Sequence, residues 1–176
     1  MRKLKLFLIS VLILLVFLSL ITVFLPSRIT ISKSTLIDAT ENNISGQIRN
    51  FNNWKNWYPA FQKGNRTIKI QDSSLVTITD EKQHTLSMKI VERETESITI
   101  LLLDGNKNNT TYQFILSPNG KGQTLVVWNV NTKLSWYPWK RLTGVFLDKI
   151  AGPQYEAALE NLKTAVEKMH QAKPSE

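Results

Sequence analysis

The stretch that most constrains the fold lies near the C-terminus, from Gly152 to Ala172. Its apolar residues recur at the i, i+3, i+4 and i+7 spacing of one helical face. These residues are Tyr155, Ala158, Leu159, Leu162, Ala165, Val166 and Met169. Pro153 suits the first helical position, and Lys168 and His170 near the end complement the helix dipole. Because a helix with one apolar face is marginal alone in water, another part of the chain must cover it.

The middle of the chain indicates β-strands, because apolar and polar residues alternate from Thr67 to Leu134. A first strand is predicted earlier, at Arg28–Ile37. The later strands are predicted at Thr67–Gln71, Leu75–Thr79, Thr85–Glu92, Ser97–Leu103, Thr111–Ser117 and Gln123–Thr132. Short turns between them favour an antiparallel meander. The inner face is predicted to carry Leu86, Met88, Ile90, Tyr112, Phe114, Leu116, Val126, Trp128 and Val130.

Helical segments are predicted on both sides of the meander. Thr40 is the expected N-cap of a helix before it. A short aromatic helix follows from Phe51 and stops at Pro59, since the residue before a proline avoids the α region. After the meander, Lys140–Ile150 is predicted to form a short helix that Gly152-Pro153 interrupts with a kink.

The N-terminus carries an uncharged run from Leu6 to Leu25. Twenty residues of helix are about 30 Å long, the thickness of the hydrocarbon core of a bilayer. No small-x-small site follows, which favours an uncleaved transmembrane signal anchor over a cleaved signal peptide. Arg2, Lys3 and Lys5 favour a cytoplasmic N-terminus, so the expected localisation is a single-pass membrane protein with its domain on the extracytoplasmic, periplasmic side. The expected organisation is a basic tail at 1–5, the anchor at 6–25, one domain at 27–172 and a tail at 173–176.

Composition excludes several classes of site. The chain has no cysteine, which rules out disulfides, thiol nucleophiles and cysteine metal sites. The net charge is +8, but its 22 Lys and Arg residues are scattered, so no nucleic-acid partner is expected. His84 and His170 have no further ligand at metal spacing, and no metal or other cofactor is expected. Neither a Ser/His/Asp set nor a nucleotide-binding glycine loop is present.

Three segments resemble one superfamily. They are the strand ending in Ser34–Ala39, the Trp-x-x-Trp-x-Pro segment within Asn53–Pro59, and the start of the last helix at Leu147–Gly152. Together they resemble the START-like, or helix-grip, superfamily, and within it the membrane-anchored bacterial polyketide cyclase/dehydrase-type (SRPBCC) proteins. The resemblance implies an α+β fold in which a curved antiparallel sheet wraps around a long C-terminal helix, here preceded by one transmembrane helix.

The same resemblance implies a deep apolar cavity between the sheet and the last helix. It implies no catalytic residue, because this family has no shared catalytic motif. The candidates for lining the cavity are Trp54, Trp57, Met88, Ile90, Tyr112, Phe114, Trp128, Phe146, Tyr155, Leu159 and Leu162. For Trp54 and Trp57, a place at the cavity mouth and a place in the core are both open. Trp136, Tyr137 and Trp139 are expected either to pack at a corner or to contact a membrane interface.

The leading functional hypothesis is a membrane-anchored, non-enzymatic binding module whose partner is a hydrophobic small molecule, lipid-like or polyketide-like. A cyclase or dehydratase using the same cavity is the alternative, and it requires a buried acid or base. A third hypothesis is an interaction protein with a filled core that binds a protein partner through its outer sheet face. The sequence does not identify that partner.

Overall fold

A computed structural model describes residues 2–24, 26–62, 64–94, 96–104, 107–135, 141, 143–144 and 146–171. The helices are α1 (Arg2–Phe24), α2 (Glu41–Ile48), a 3-10 helix (Phe51–Asn56), α3 (Pro59–Gln62) and α4 (Leu147–Gln171). The strands are β1 (Arg28–Ile37), β2 (Arg66–Asp72), β3 (Leu75–Asp80), β4 (Thr85–Arg93), β5 (Ser97–Asp104), β6 (Lys107–Pro118) and β7 (Thr124–Lys133). The predicted strands are confirmed to within a few residues at each end.

The strands form one antiparallel sheet of seven, in the order β1-β7-β6-β5-β4-β3-β2. The last six strands are therefore a meander, and β1 closes the sheet at the far side by pairing with β7. Register shifts interrupt the pairing at Ile70/Asp72, Ile90/Glu92 and Leu102/Leu103. An extra residue in one strand of a pair bends that strand and increases its twist, so these positions bend the sheet.

The helix α4 lies along the inner face of the sheet, closest to β1. Ala158, Leu159, Leu162 and Val166 are buried, which confirms the predicted apolar stripe. Lys33 of β1 fixes the first turns of this helix: its Nζ lies 3.2 Å from Asp148 Oδ1 and 2.8 Å from Glu156 Oε1.

The expectation of a helix interrupted at Gly152-Pro153 is corrected, because α4 runs through both residues without a break. A proline has no N–H to donate to the carbonyl four residues earlier, here that of Lys149, so α4 continues through Pro153 without that one hydrogen bond. Gly152 also fits closely against β1. A Cβ atom there would lie 3.1 Å from Lys33 Cε and 2.9 Å from Asp148 Oδ1.

Three short helical segments lie between β1 and β2: α2, the 3-10 helix and α3. Thr40 precedes α2 as predicted, although its side chain makes no capping hydrogen bond. Asn50 caps the 3-10 helix, with its Oδ1 accepting from the Asn52 N–H at 3.0 Å. Pro59 begins α3, which differs from the expectation that it only ends a helix, because proline is also suited to the first helical position.

The N-terminal expectations require correction. The helix α1 covers Arg2–Phe24. Within the described residues, no helix is long and apolar enough to cross a membrane. That finding overturns the predicted transmembrane anchor at 6–25 and, with it, the predicted single-pass localisation.

Two further predictions concern residues that the structure does not describe. Trp136, Tyr137 and Trp139 lie outside the described residues, as do Lys140, Leu142 and Val145 of the predicted short helix.

Candidate functional site

The interior beneath α4 is filled by aromatic side chains. Trp54, Trp57, Phe114 and Trp128 are completely buried. Phe114 and Trp128 are direct cross-strand partners on β6 and β7, and their rings stack with centroids 4.7 Å apart. Trp57 meets both rings edge-on, at centroid distances of 6.3 Å. Tyr155 of α4 packs against this aromatic core, with its ring centroid 5.0 Å from that of Trp128.

An open cleft lies beside this core, toward the β2 edge of the sheet. This large cleft has a volume of about 310 Å³. It lies between the meander, the α3 segment and the start of α4. Its lining consists of Tyr58, Ala60, Arg66, Ile78, Asp80, His84, Thr85, Leu86, Met88, Asp104 and Gln154.

The floor of the large cleft is apolar because of the strand register. Ile78 of β3 faces Leu86 of β4, and Leu86 faces Asp104 of β5, so the three side chains form one row on the same face. Met88 is two residues further along β4 and therefore shares that face. Ile78 and Met88 are almost fully buried, whereas Leu86 is half-buried. The row thus runs from an apolar centre to the charged residue Asp104 at its end.

A small cleft of about 100 Å³ adjoins the large one. Tyr58, Ala60, Arg66 and Gln154 line both clefts, so they form a common wall. The small cleft is completed by Pro59 and Tyr155. Tyr58 reaches this position because it is the link between the 3-10 helix and α3, just before the proline that starts the next turn.

The tyrosine hydroxyls behind the small cleft are close together. The Tyr58 and Tyr112 hydroxyl oxygens lie 3.3 Å apart and share a hydrogen bond. Burial raises the pKa of Tyr58 to about 12, raises the pKa of Tyr112 well above its usual value, and raises the pKa of Tyr155. All three phenols are therefore protonated near neutral pH and can donate hydrogen bonds.

Ionisable residues at the large cleft lie at its mouth. Asp80 Oδ1 accepts from the backbone N–H groups of Lys82 and His84, each at 2.9 Å. These hydrogen bonds, the one from His84 first, lower the pKa of Asp80. His84 Nδ1 lies 3.5 Å from Asp80 Oδ2, and its side chain is 78% exposed. Asp80 is thus an ionised turn residue and is poorly suited to donate a proton.

Arg66 makes no ion pair or hydrogen bond with any residue that the structure describes. Its strand partner is Asp80, yet the two side chains are not joined. Arg66 and Tyr58 both line the small cleft, and the positive charge of Arg66 slightly opposes the rise that burial causes in the pKa of Tyr58. A free guanidinium beside a phenol is a good donor set for a carboxylate or another anionic oxygen group.

One buried polar atom within the aromatic core is unsatisfied. The Trp128 indole N–H has no hydrogen-bond partner among the described residues, although the ring is fully buried. Its ring centroid lies 5.0 Å from that of Tyr155 and 5.1 Å from that of Tyr112. An unpartnered buried donor costs about 1–3 kcal/mol, so a polar acceptor reaching this region would be stabilised.

The structure distributes the predicted cavity residues over four environments. Met88 and Tyr155 line the clefts. Tyr112 is buried behind them, and Phe146 is 56% exposed on the surface. The remainder are packed in the core: Trp54, Trp57, Ile90, Phe114, Trp128, Leu159 and Leu162.

None of the four residues of the common wall was predicted from the sequence as a cavity residue. Tyr58 was recognised only as part of a helix end, although an aromatic residue before a proline between two helical turns is a usable signal. Arg66 and Gln154 have the appearance of ordinary surface residues in the sequence. Only their positions on either side of the α3 segment bring them together.

The architecture is that of a helix-grip α+β domain. The family described as "Polyketide cyclase / dehydrase and lipid transport" matches residues 28–167. The chain belongs to this family, whose fold suggests a cavity for hydrophobic ligands. No curated protein matches the chain.

Solved structures support the same fold at low sequence identity. A START superfamily protein from Mycobacterium smegmatis is 18% identical with a TM-score of 0.61, over 80% of this chain and 98% of that one. A protein of unknown function from Staphylococcus aureus is 8% identical with a TM-score of 0.64, over 82% and 96% of the two chains. The di-domain ARO/CYC StfQ from the steffimycin biosynthetic pathway is 13% identical with a TM-score of 0.59, over 82% of this chain and 52% of that one.

Proposed function

We propose that the protein binds one small, largely apolar molecule, lipid-like or polyketide-like, in the large cleft and releases it unchanged. The observation that carries the proposal is the row of Ile78, Leu86 and Met88 that forms the cleft floor. Burying such a surface against an apolar ligand removes both from water, at about 25 cal/mol per Å².

The size of the cleft limits the ligand. Ligand pockets commonly measure about 300–1,000 Å³, and the large cleft, at about 310 Å³, is at the lower end of that range. A single ring system or one medium-length chain fits this volume. A two-chain phospholipid exceeds this volume.

The polar residues of the cleft support binding over catalysis. A cyclase or dehydratase needs an acid or base whose pKa is tuned by burial. The acidic residues of the large cleft, Asp80 and Asp104, lie at its mouth, and hydrogen bonds keep the pKa of Asp80 low. These groups are placed to orient a ligand at the entrance.

The proposal is tested with the neutral fluorescent probe N-phenyl-1-naphthylamine and the full-length protein. We expect saturable binding that Ala60→Trp weakens about tenfold or more, since Ala60 lines the cleft and an indole there occupies its volume. Ala157→Trp is the matched control, because Ala157 is exposed on α4 and does not line the described clefts. Organic extraction of the purified protein, followed by mass spectrometry, should recover a hydrophobic molecule that Ala60→Trp lacks.

Equal probe binding by the two tryptophan variants would refute the proposal. It would instead favour the interaction-protein hypothesis, in which the filled core has only a structural role.

A further inference from the structure

We infer that the ligand of this cleft is an anionic amphiphile, a small apolar body with one carboxylate, and that Arg66 binds the carboxylate in the small cleft. This inference rests on the proposed function, since it assigns the two ends of the same ligand. Two observations support it. The large cleft, with its apolar floor, adjoins the small polar cleft, and Arg66, which lines both clefts, has no described ion pair or hydrogen bond.

The first step concerns the continuity of the two clefts. Four residues line both of them, so a ligand whose body lies on Ile78 and Leu86 can extend one end into the small cleft. The small cleft, at about 100 Å³, is well below the roughly 300 Å³ of an independent ligand pocket. Its volume suits a terminal group.

The second step concerns charge. The large cleft is lined by two carboxylates, Asp80 and Asp104, which accompany His84 and Arg66 there. In the small cleft the described lining contains one charged side chain, Arg66, together with the neutral side chains of Tyr58, Gln154 and Tyr155. The small cleft therefore attracts an anion through Arg66, and its described lining contains no carboxylate that would repel one.

The third step concerns hydrogen-bond donors. Arg66 has no described partner, so its guanidinium retains its donors for a ligand. The Tyr58 and Tyr112 hydroxyls carry one proton each, and the hydrogen bond between them uses only one of the two. The pair therefore retains one O–H donor for a ligand. The Gln154 amide adds two N–H donors. A carboxylate has two oxygens that can accept hydrogen bonds from these donors, whereas an alcohol has only one oxygen and a hydrocarbon terminus has none.

The test compares 2-naphthoate with 2-naphthamide, two molecules of nearly the same shape that differ in charge, by isothermal titration calorimetry on the full-length protein. We expect Arg66→Gln to weaken 2-naphthoate binding about tenfold, the effect of losing one charge-assisted hydrogen bond. Binding of 2-naphthamide should change less than about twofold, and Arg66→Lys should give an intermediate loss for 2-naphthoate, because lysine keeps the charge but not the forked geometry.

Arg28→Gln is the matched control. It makes the same change in net charge at an exposed position on β1, at the opposite edge of the sheet. We expect it to leave both affinities unchanged, and circular dichroism should show that all the arginine variants are folded. Octanoate and 1-octanol form a second pair: dependence of octanoate binding on Arg66 supports the inference for a chain-like body, and dependence of 2-naphthoate alone supports it for a ring.

The outcomes separate this inference from the proposed function. If Arg66→Gln weakens 2-naphthoate and 2-naphthamide equally, or neither of them, the carboxylate assignment is overturned while the apolar cleft stands. If neither naphthalene compound nor N-phenyl-1-naphthylamine binds the wild-type protein, the proposed function itself fails.

Discussion

The two halves of the inner sheet face differ in how they are covered. Beneath α4, the face made by β1, β7 and β6 is sealed by rings, with Phe114 and Trp128 fully buried. Toward β2, the face made by β3, β4 and β5 carries smaller aliphatic side chains such as Ile78 and Leu86, and a cleft remains above them. One continuous sheet thus provides a packed core and a binding surface side by side. Large aromatic side chains form the core, and smaller aliphatic side chains leave room for the cleft.

The largest expected effect is on the half of the sheet face that aromatic rings cover. Trp128→Ala removes a ring that contacts Phe114, Tyr112 and Tyr155, and we expect a loss of about 3–5 kcal/mol in the free energy of unfolding. Urea denaturation measures it. The matched change in the open half is Leu86→Ala, which should cost only about 1–2 kcal/mol because Leu86 is half-buried beside the cleft. Similar losses for the two variants would contradict the distinction between the halves.

A smaller effect is expected at the boundary between the halves. Tyr58→Phe deletes the hydroxyl that bonds Tyr112 and leaves the Tyr112 hydroxyl without that partner. We expect a loss of about 1–2 kcal/mol in the free energy of unfolding. The variant should also bind 2-naphthoate more weakly than the wild type, since the donor of the common wall is gone. Unchanged affinity would show that Tyr58 serves packing alone.

A still smaller effect is expected for Gly152→Ala on α4. The new Cβ would meet the ends of the Lys33 and Asp148 side chains, which can move aside. A gain in helix propensity of about 1 kcal/mol then opposes the disturbed ion pair, worth roughly 0–1 kcal/mol, so the net change should be below about 1 kcal/mol. Thermal unfolding measures it. A large destabilisation would show that Lys33 is held rigidly beneath the helix.

The smallest effect concerns the pH dependence of stability. Hydrogen bonds to Glu156 and then to Asp148 raise the pKa of Lys33 above 10.5. The contribution of Lys33 to the free energy of unfolding is therefore fully present below pH 10.5, and it is lost as the pH rises through the pKa of Lys33 in the folded state. The stability difference between wild type and Lys33→Met should shrink over that range in urea titrations. The control Lys89→Met removes a lysine from an exposed position on β4 that has no described ion pair, and an identical trend in that variant would refute the assignment.

The fold was largely predictable because it is encoded in local periodicity. Alternation along β4, β6 and β7 identified the inner face, and Met88, Phe114 and Trp128 are buried on it. The apolar stripe on α4 was equally predictable from its helical spacing. Helix interruption was predicted wrongly at Gly152-Pro153 because local propensity favours a break there, whereas α4 continues through it and Lys33 pairs with Asp148 before it and Glu156 after it.

The site was less predictable because it depends on distances between elements. Periodicity shows that Trp54 and Trp128 point inward, but not that their rings fill the interior. Arg66 is separated from Gln154 by most of the sheet in sequence, and no local pattern indicates that they share a wall. The N-terminal run was interpreted from its length, its hydropathy and its flanking residues, and no helix in the described residues is long and apolar enough to span a membrane.

The sheet order has a consequence for how the chain assembles. Thr30 hydrogen-bonds Asn131 across a separation of 101 residues, whereas every other neighbouring pair of strands is consecutive along the chain. Contacts between distant residues are slow to form because a long loop must close first. We therefore expect the hairpins from β2 to β7 to form early and β1 to add last. During synthesis, the first strand to emerge has no partner until the seventh is made.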